Sequence, residues 1–236
     1  MGTGSARGLP FRIVRAMIVV LLVLLLLPYV LTPLYLLVRP ISTLMLWRSL
    51  TGARVERTYV PIDAIAPALP LAVIVAEDGR YCVHHGVDFA ALREVMQEAD
   101  DISEMRGGST IAQQTAKNLF LWPGRSLVRK VLELPLALWI DLVLGKRRVL
   151  EIYLNIAEWG PAGEFGAEAA SRSAFGKPAR DLTGREAALL AAILPNPHRR
   201  NAARPGPGVR RLTGIYEARS RNSATLADCI GRRSGL

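Results

Sequence analysis

The sequence predicts a mainly α-helical domain behind one N-terminal transmembrane helix. Three observations predict it. Residues 16–38 carry no charged side chain over 23 positions. Downstream, apolar residues recur at helical spacing between recognisable caps and stops. Strand signals are nearly absent, and there are no internal repeats. A chain of 236 residues leaves room for one anchor and one domain with a real core.

The apolar run comes first. As a helix it would reach about 34 Å, enough to cross a bilayer core. Pro28 and Pro33 interrupt it, so the helix should kink, or end near Pro28 and resume. The run is too long for a signal peptide, and no small-x-small site follows it. Arg7, Arg12 and Arg15 precede it with no acidic residue among them. The positive-inside rule therefore puts residues 1–15 in the cytoplasm and the large domain outside. In a bacterium the domain would then lie in the periplasm, on the outer face of the inner membrane.

Residues 39–60 form a juxtamembrane connector. Their mixed apolar and basic pattern fits either an interfacial segment with Trp47 at headgroup depth or an ordinary first helix. The main domain is expected over 61–202. It opens with a proline-punctuated lead-in, then an apolar run, Leu71 to Ala76, that stops at Glu77-Asp78. Six residues do not separate a helix from a buried strand. Asp88 to Met105 reads as a helix followed by an acidic loop (Glu98, Asp100, Asp101, Glu104). Ser109 can cap a helix starting at Thr110. Thr110, Gln114 and Lys117 then share one face, and Ile111, Thr115 and Leu119 a more apolar one. Ser126 to Leu144 is a long helix capped by Ser126, kinked at Pro135 and ended by Gly145. Arg147 to Ile156 is a further helix, supported by an Arg147/Glu151 pair at i, i+4. Gly163 to Phe175 and Thr183 to Leu194 are alanine-rich helices, the latter capped by Thr183. The basic C-terminal tail, 203–236, is rich in Arg, Gly and Ser and should be peripheral or frayed.

Net charge is +10. No nucleic-acid motif accompanies it, and an exported domain meets no nucleic acid. An anionic membrane surface or a diphosphate-bearing substrate accounts for it better. Only four of the 30 basic residues are lysine: Lys117, Lys130, Lys146 and Lys177. Lysine suits a phosphate as a compact point charge. Cys82 and Cys229 are too few for a disulfide framework, and their spacing does not predict a bridge. Cys82, His84 and His85 match no standard metal spacing, so no protein metal site is expected.

Two carboxylates carry the candidate chemistry. Glu77, at the edge of an apolar run, should be partly desolvated with a raised pKa, as a base working near neutral pH requires. Glu133 lies four residues after Arg129 and beside Lys130, where it can orient a cationic clamp. The glycine-rich approach to Thr110 suits a phosphate-bearing ligand. Lys146, Arg147 and Arg148 add a basic cluster before Glu151, Tyr153 and Asn155.

In order along the chain, V-I-V-A-E-D-G-R-Y-C-V-H-H-G-V-D (from Val73), G-G-S-T-I-A-Q-Q-T-A-K-N-L-F-L (from Gly107), R-K-V-L-E (from Arg129), K-R-R-V-L-E-I-Y-L-N (from Lys146) and E-A-A-L-L-A-A-I-L-P-N-P (from Glu186) span about 125 residues. They resemble the five motifs of the peptidoglycan glycosyltransferases, glycosyltransferase family 51. Asn155 to Ala170 narrows the likeness to the monofunctional biosynthetic transglycosylases of Gram-negative bacteria. The resemblance implies a lysozyme-like helical fold and polymerisation of lipid II into glycan strands. It implies Glu77 as catalytic base and Glu133 as the glutamate that assists departure of the diphosphate. Asp78, Ser109, Thr110, Gln114, Lys117, Asn118, Arg129, Lys130, Arg148 and Asn155 fall on substrate-binding positions. The resemblance fixes no cofactor and leaves open a divalent cation, Mg or Mn, with the substrate diphosphate. Partners implied are lipid II, the growing glycan strand, the membrane, and cell-division or penicillin-binding proteins. No serine here has lysine three residues later, so no penicillin-reactive motif is present. Three positions depart from the family: Tyr81 for phenylalanine, Ala112 for threonine or serine, and Asp141 for glutamate. A lytic, lysozyme-like enzyme and a catalytically inactive membrane-tethered scaffold are the competing readings.

Overall fold

The computed structural model describes residues 8–98, 108–124, 126–221 and 229–231. Helix α1, Gly8–Leu31, is followed directly by a 3-10 turn, Thr32–Leu36. The stretch Phe11–Leu36 has a mean hydropathy of 2.7 and is almost bare of protein contact. It is long and apolar enough to cross a membrane. The expected break does not fall at Pro28. The helix runs through it, the Thr32 hydroxyl donates to the Pro28 carbonyl (2.7 Å), and the backbone tightens only at Pro33. There, in the first turn of the 3-10 segment, the missing N–H is not needed.

Helix α2, Thr43–Leu50, is capped by Ser42, whose hydroxyl accepts from the Met45 N–H at 3.0 Å. Met45 faces the core while Trp47 and Leu50 stand exposed. Strand β1, Glu56–Arg57, pairs in parallel with β2, Glu164–Phe165, in the register Glu56 to Glu164 and Arg57 to Phe165. This two-residue ladder ties the connector to the loop after the central helices. A Cβ at Gly163 would lie 2.1 Å from the Arg54 carbonyl oxygen, and its φ is +89°, so only glycine fits there.

The apolar run before Glu77 is a helix, α3 (Ala68–Glu77), with Leu69, Ala72, Val73 and Ile74 fully buried. Helix α4, Phe89–Glu98, follows. The acidic loop expected beyond it lies outside the described residues. Helix α5 is Ile111–Phe120. Helix α6, Leu127–Ile156, begins at a Ser126 cap and is broken at Gly145 (φ 71°, ψ 162°), so the two expected helices meet there. Helices α7, Ala167–Phe175, and α8, Gly184–Ile193, complete the alanine-rich part. Thr183 and Glu186 form a capping box at α8. Small side chains let α8 lie close on α3, while α5 packs along α6.

Three expectations need correction. The tail is not frayed between 207 and 221: helix α9, Pro207–Arg221, packs on α3 and α8 and buries Val209 and Thr213. Its apolar stripe is narrow, and arginine and glycine dilute it in the sequence. Arg147 does not pair with Glu151. Its guanidinium reaches Asp63 (2.5 Å) and the Ile230 carbonyl (2.6 Å), while Glu151 pairs with Arg148. Cys82 and Cys229 form a disulfide across 147 residues, with Cα atoms 5.6 Å apart. Only the folded chain brings such distant cysteines together.

Replacing both cysteines by alanine should destabilise the domain by about 2–5 kcal/mol. Denaturant midpoints of the two proteins check this, and equal midpoints would show that the bridge does not constrain the unfolded chain.

Candidate active site

Glu77 is the last residue of α3, so its carboxylate stands at the end of an apolar helix. Glu77 Oε2 accepts from Gln114 Nε2 at 2.8 Å. Gln114 Oε1 in turn accepts from the Tyr153 hydroxyl at 2.9 Å. Three helices, α3, α5 and α6, therefore meet in one chain of hydrogen bonds. Glu77 Oε1 is buried and has no partner among the described residues. Burial pushes the Glu77 carboxyl above the ordinary carboxylate range. The Gln114 N–H and the charges of Lys117 and Arg200 oppose that rise, and the neighbouring Asp78 adds to it.

A cationic cluster stands near Glu77. The Arg129 guanidinium is ion-paired to Glu133 Oε1, and Lys130 Nζ lies 3.3 Å from Glu133 Oε2. Lys130 also donates to Ser109 Oγ at 2.6 Å. Glu133 and Arg129 are almost fully buried, and Arg129 Nε has no partner among the described residues. Lys117 feels the charges of both Glu133 and Glu77, as well as Arg129 and Lys130. Burial pulls its ammonium below the usual lysine value, the two carboxylates raise it, and the two cations lower it further. The structure thus brings Glu77, Ser109, Gln114, Lys117, Arg129, Lys130 and Glu133 into one neighbourhood.

The remaining residues of the set are bonded within the scaffold. Thr110, not Ser109, is the N-cap of α5. Its hydroxyl accepts from the Gln113 N–H (3.1 Å) and donates to the Gly86 carbonyl (2.6 Å), and the side chain is buried. Both hydroxyls sit at the helix start, and the one able to reach Gln113 and Gly86 takes the cap. Gly86, at φ +81°, also lets α6 pass close by, since a Cβ there would lie 2.4 Å from the Ala137 carbonyl oxygen. Asp78 accepts from the Ile111 N–H (2.9 Å) and is paired with His84 (2.8 Å), which pins α5 against α3. Asn155 is fully buried, with its amide spent on both backbone groups of Val60 and on the Glu151 carbonyl. Arg148 holds the carbonyls of Tyr35 (2.8 Å) and Val38 (2.7 Å), the Tyr59 hydroxyl and Glu151. It fastens the end of the anchor segment to α6. At Asn118 the backbone carbonyl accepts from the Thr43 hydroxyl at 3.1 Å.

Arg200 and Tyr216, neither of them singled out from the sequence, approach Glu77 from beyond α8 and from α9. No local pattern marks them, because α9 itself was not legible. Among the described residues no group of three or more His, Cys, Asp or Glu is placed to hold a metal ion.

Residues 45–222 match the family described as Transglycosylase. The chain belongs to the transglycosylase family. It is 60% identical over 224 residues to the biosynthetic peptidoglycan transglycosylase of Nitrobacter winogradskyi, covering 94% of this chain and 99% of that protein. The protein of the same description from Rhodopseudomonas palustris (strain TIE-1) is 60% identical over 218 residues, 92% of each chain. That of Rhizobium johnstonii is 51% identical over 221 residues, 93% of this chain and 90% of its own. The function is that of a peptidoglycan transglycosylase, a glycosyltransferase, and its helical domain has the lysozyme-like character of the family. Two of the departures noted above converge within this transglycosylase. The Tyr81 hydroxyl donates to the Lys146 carbonyl (2.6 Å), and Lys146 Nζ lies 4.8 Å from the Tyr81 ring centre and 2.8 Å from Asp141 Oδ1. A shorter acid and an added hydroxyl are both absorbed around one lysine.

The raised pKa of Glu77 sets a pH dependence of stability. The folded carboxyl keeps its proton to higher pH than the unfolded one does. Stability is therefore lost as pH rises from the ordinary carboxylate range through the folded pKa. Glu77→Gln removes this loss. The variant should melt higher than wild type at neutral and alkaline pH, with the gain vanishing in acid. A gain independent of pH would show that Glu77 titrates normally.

Proposed function

We propose that this transglycosylase polymerises lipid II, with Glu77 as the base and the cluster of Lys117, Arg129 and Lys130 receiving the diphosphate. The observation that carries the reading is one buried carboxylate, with an unpartnered oxygen, in electrostatic contact through Lys117 with a buried Arg129–Glu133 pair. A cationic cluster opposite the base suits a leaving group that departs as a diphosphate. A lytic enzyme expels a sugar alkoxide and needs an acid there instead.

In this reaction Glu77 takes the proton of the acceptor GlcNAc 4-hydroxyl. The freed oxygen pair attacks the anomeric carbon of the lipid-linked donor strand from the face opposite the diphosphate. The new C–O bond forms as the bond to the diphosphate oxygen breaks, and configuration inverts. The electron pair leaves on undecaprenyl diphosphate. Lys117, Arg129 and Lys130 neutralise that charge, and Glu133 holds the two basic side chains of α6 in place. Ser109 adds a hydroxyl beside Lys130. A divalent cation on the diphosphate would add to this neutralisation. No proton transfer above depends on one.

The proposed setting is a single-pass inner-membrane protein with a cytoplasmic N-terminus and a periplasmic domain. Arg7, Arg12 and Arg15 before the span support that orientation, and the Cys82–Cys229 disulfide belongs to an oxidising compartment. Leu127, Val131, Leu138 and Leu142 leave an exposed apolar stripe along α6, which suits a domain resting on the bilayer where its lipid-linked substrate resides.

Two measurements test this reading. Purified full-length protein incubated with lipid II should yield glycan polymer, and Glu77→Gln should lower the rate by about 100-fold or more while lipid II still binds. Unchanged polymerisation would remove Glu77 as the base, and cleavage without polymer would favour the lytic reading. Deleting residues 1–38 removes two carbonyl acceptors of Arg148 along with the span. The truncated domain should still fold, yet polymerise lipid II in liposomes several-fold more slowly. Equal rates would show that the anchor has no part in substrate delivery.

A further inference from the structure

Tyr153 has a part in the site that neither its sequence motif nor the proposed reaction assigns. Its ring is buried on α6, and its hydroxyl makes one hydrogen bond among the described residues, to Gln114 Oε1 at 2.9 Å. The amide's other end, Nε2, donates to Glu77 Oε2 at 2.8 Å. A glutamine amide can present either its oxygen or its NH2 to a neighbour. Facing a carboxylate, the NH2 end favours the ionised form. The oxygen end is tolerated only when the carboxyl is protonated and can donate. What fixes the choice must therefore act on the far end of the amide.

We propose that Tyr153 is a positioning residue: its hydroxyl fixes the Gln114 amide so that Nε2 points at Glu77 Oε2, leaving Glu77 Oε1 to take the acceptor proton. With the amide reversed, the phenol proton would have no acceptor among the described residues, since its one partner would be an NH2 group. Burial and the nearby Glu77 and Asp78 charges push the Tyr153 phenol well above its ordinary range, so it remains a donor at any working pH. Lys117 from α5, Arg200 beyond α8, Asp78 at the end of α3 and Tyr216 of α9 also face Glu77. Those groups act through charge. Gln114 supplies the only hydrogen bond to the Glu77 carboxylate among the described residues. The assignment of Oε1 as the proton acceptor rests on the reading of Glu77 as base, but the amide lock can be measured without any reaction.

The test is Tyr153→Phe in the full chain, which keeps the ring and removes only the hydroxyl. The Glu77 carboxyl is titrated directly by carbon NMR of labelled glutamate in detergent micelles, its signal identified by its loss in Glu77→Gln. The midpoint should rise in Tyr153→Phe, weakening the ionisation constant by about threefold or more. The acid limb of the kcat/KM profile on lipid II should move up by the same amount, with the rate returning to near wild type at high pH. A merely structural loss would depress activity at every pH and leave the midpoint unmoved. An unchanged Glu77 midpoint in the folded variant overturns the proposal. A shifted midpoint without polymerisation by either protein would support the lock and sink the reading of the reaction instead. If Tyr153→Phe melts too low for titration, Gln114→Met in its place should raise the Glu77 midpoint at least as far, and an unmoved midpoint there also overturns the proposal.

Discussion

The structure is organised around the cost of keeping one carboxylate dry. Glu77 ends a helix whose inward residues, Leu69, Ala72, Val73 and Ile74, are wholly buried. Withdrawal from water favours the protonated acid, which is no use as a base. The fold answers with a donor from Gln114 and the charge of Lys117, both on α5, and with the charge of Arg200 from beyond α8. These influences oppose the rise that burial causes, and the carboxyl stays above its ordinary range. A surface glutamate would be ionised but weakly basic, and one with no partners at all would stay neutral.

The cationic side follows the complementary logic. Two basic residues of α6 and Lys117 of α5 crowd around one buried glutamate. Glu133 offsets part of that repulsion, and the surplus of positive charge is what a dianionic group entering the cleft would meet. Lys117 joins the two sides, being the one cation in the described site that feels both carboxylates.

Much of the arrangement was legible in the sequence because it depends on local chemistry. The apolar run before Glu77, the Ser126 and Thr183 caps, the stop at Gly145 and the i, i+4 spacing of Arg129 and Glu133 are short-range features, and they appear as read. What could not be read depends on partners far along the chain. Arg147 has Glu151 one turn away, yet Asp63 and the Ile230 carbonyl claim it. Ser109 is the cap the sequence suggests, yet Thr110 takes that place, with its hydroxyl also held by the carbonyl of Gly86, 24 residues earlier. Arg148 looks like one more diphosphate ligand until the backbone of residues 35 and 38 is seen beside it. Helix α9 packs on α3 and α8 through a narrow stripe that arginine and glycine dilute in the sequence.

The bridge between Cys82 and Cys229 has a consequence in time. A chain made from its N-terminus presents the first thiol 147 residues before the second. Throughout that interval the turn carrying Cys82, four residues beyond Asp78, must find its place through weak contacts alone. The covalent tie can record a geometry reached without it, but it cannot direct the search. Any unrelated thiol encountered in the meantime competes for the waiting sulfur, so the speed at which α3 and its neighbours collapse decides how often the correct partner is still available.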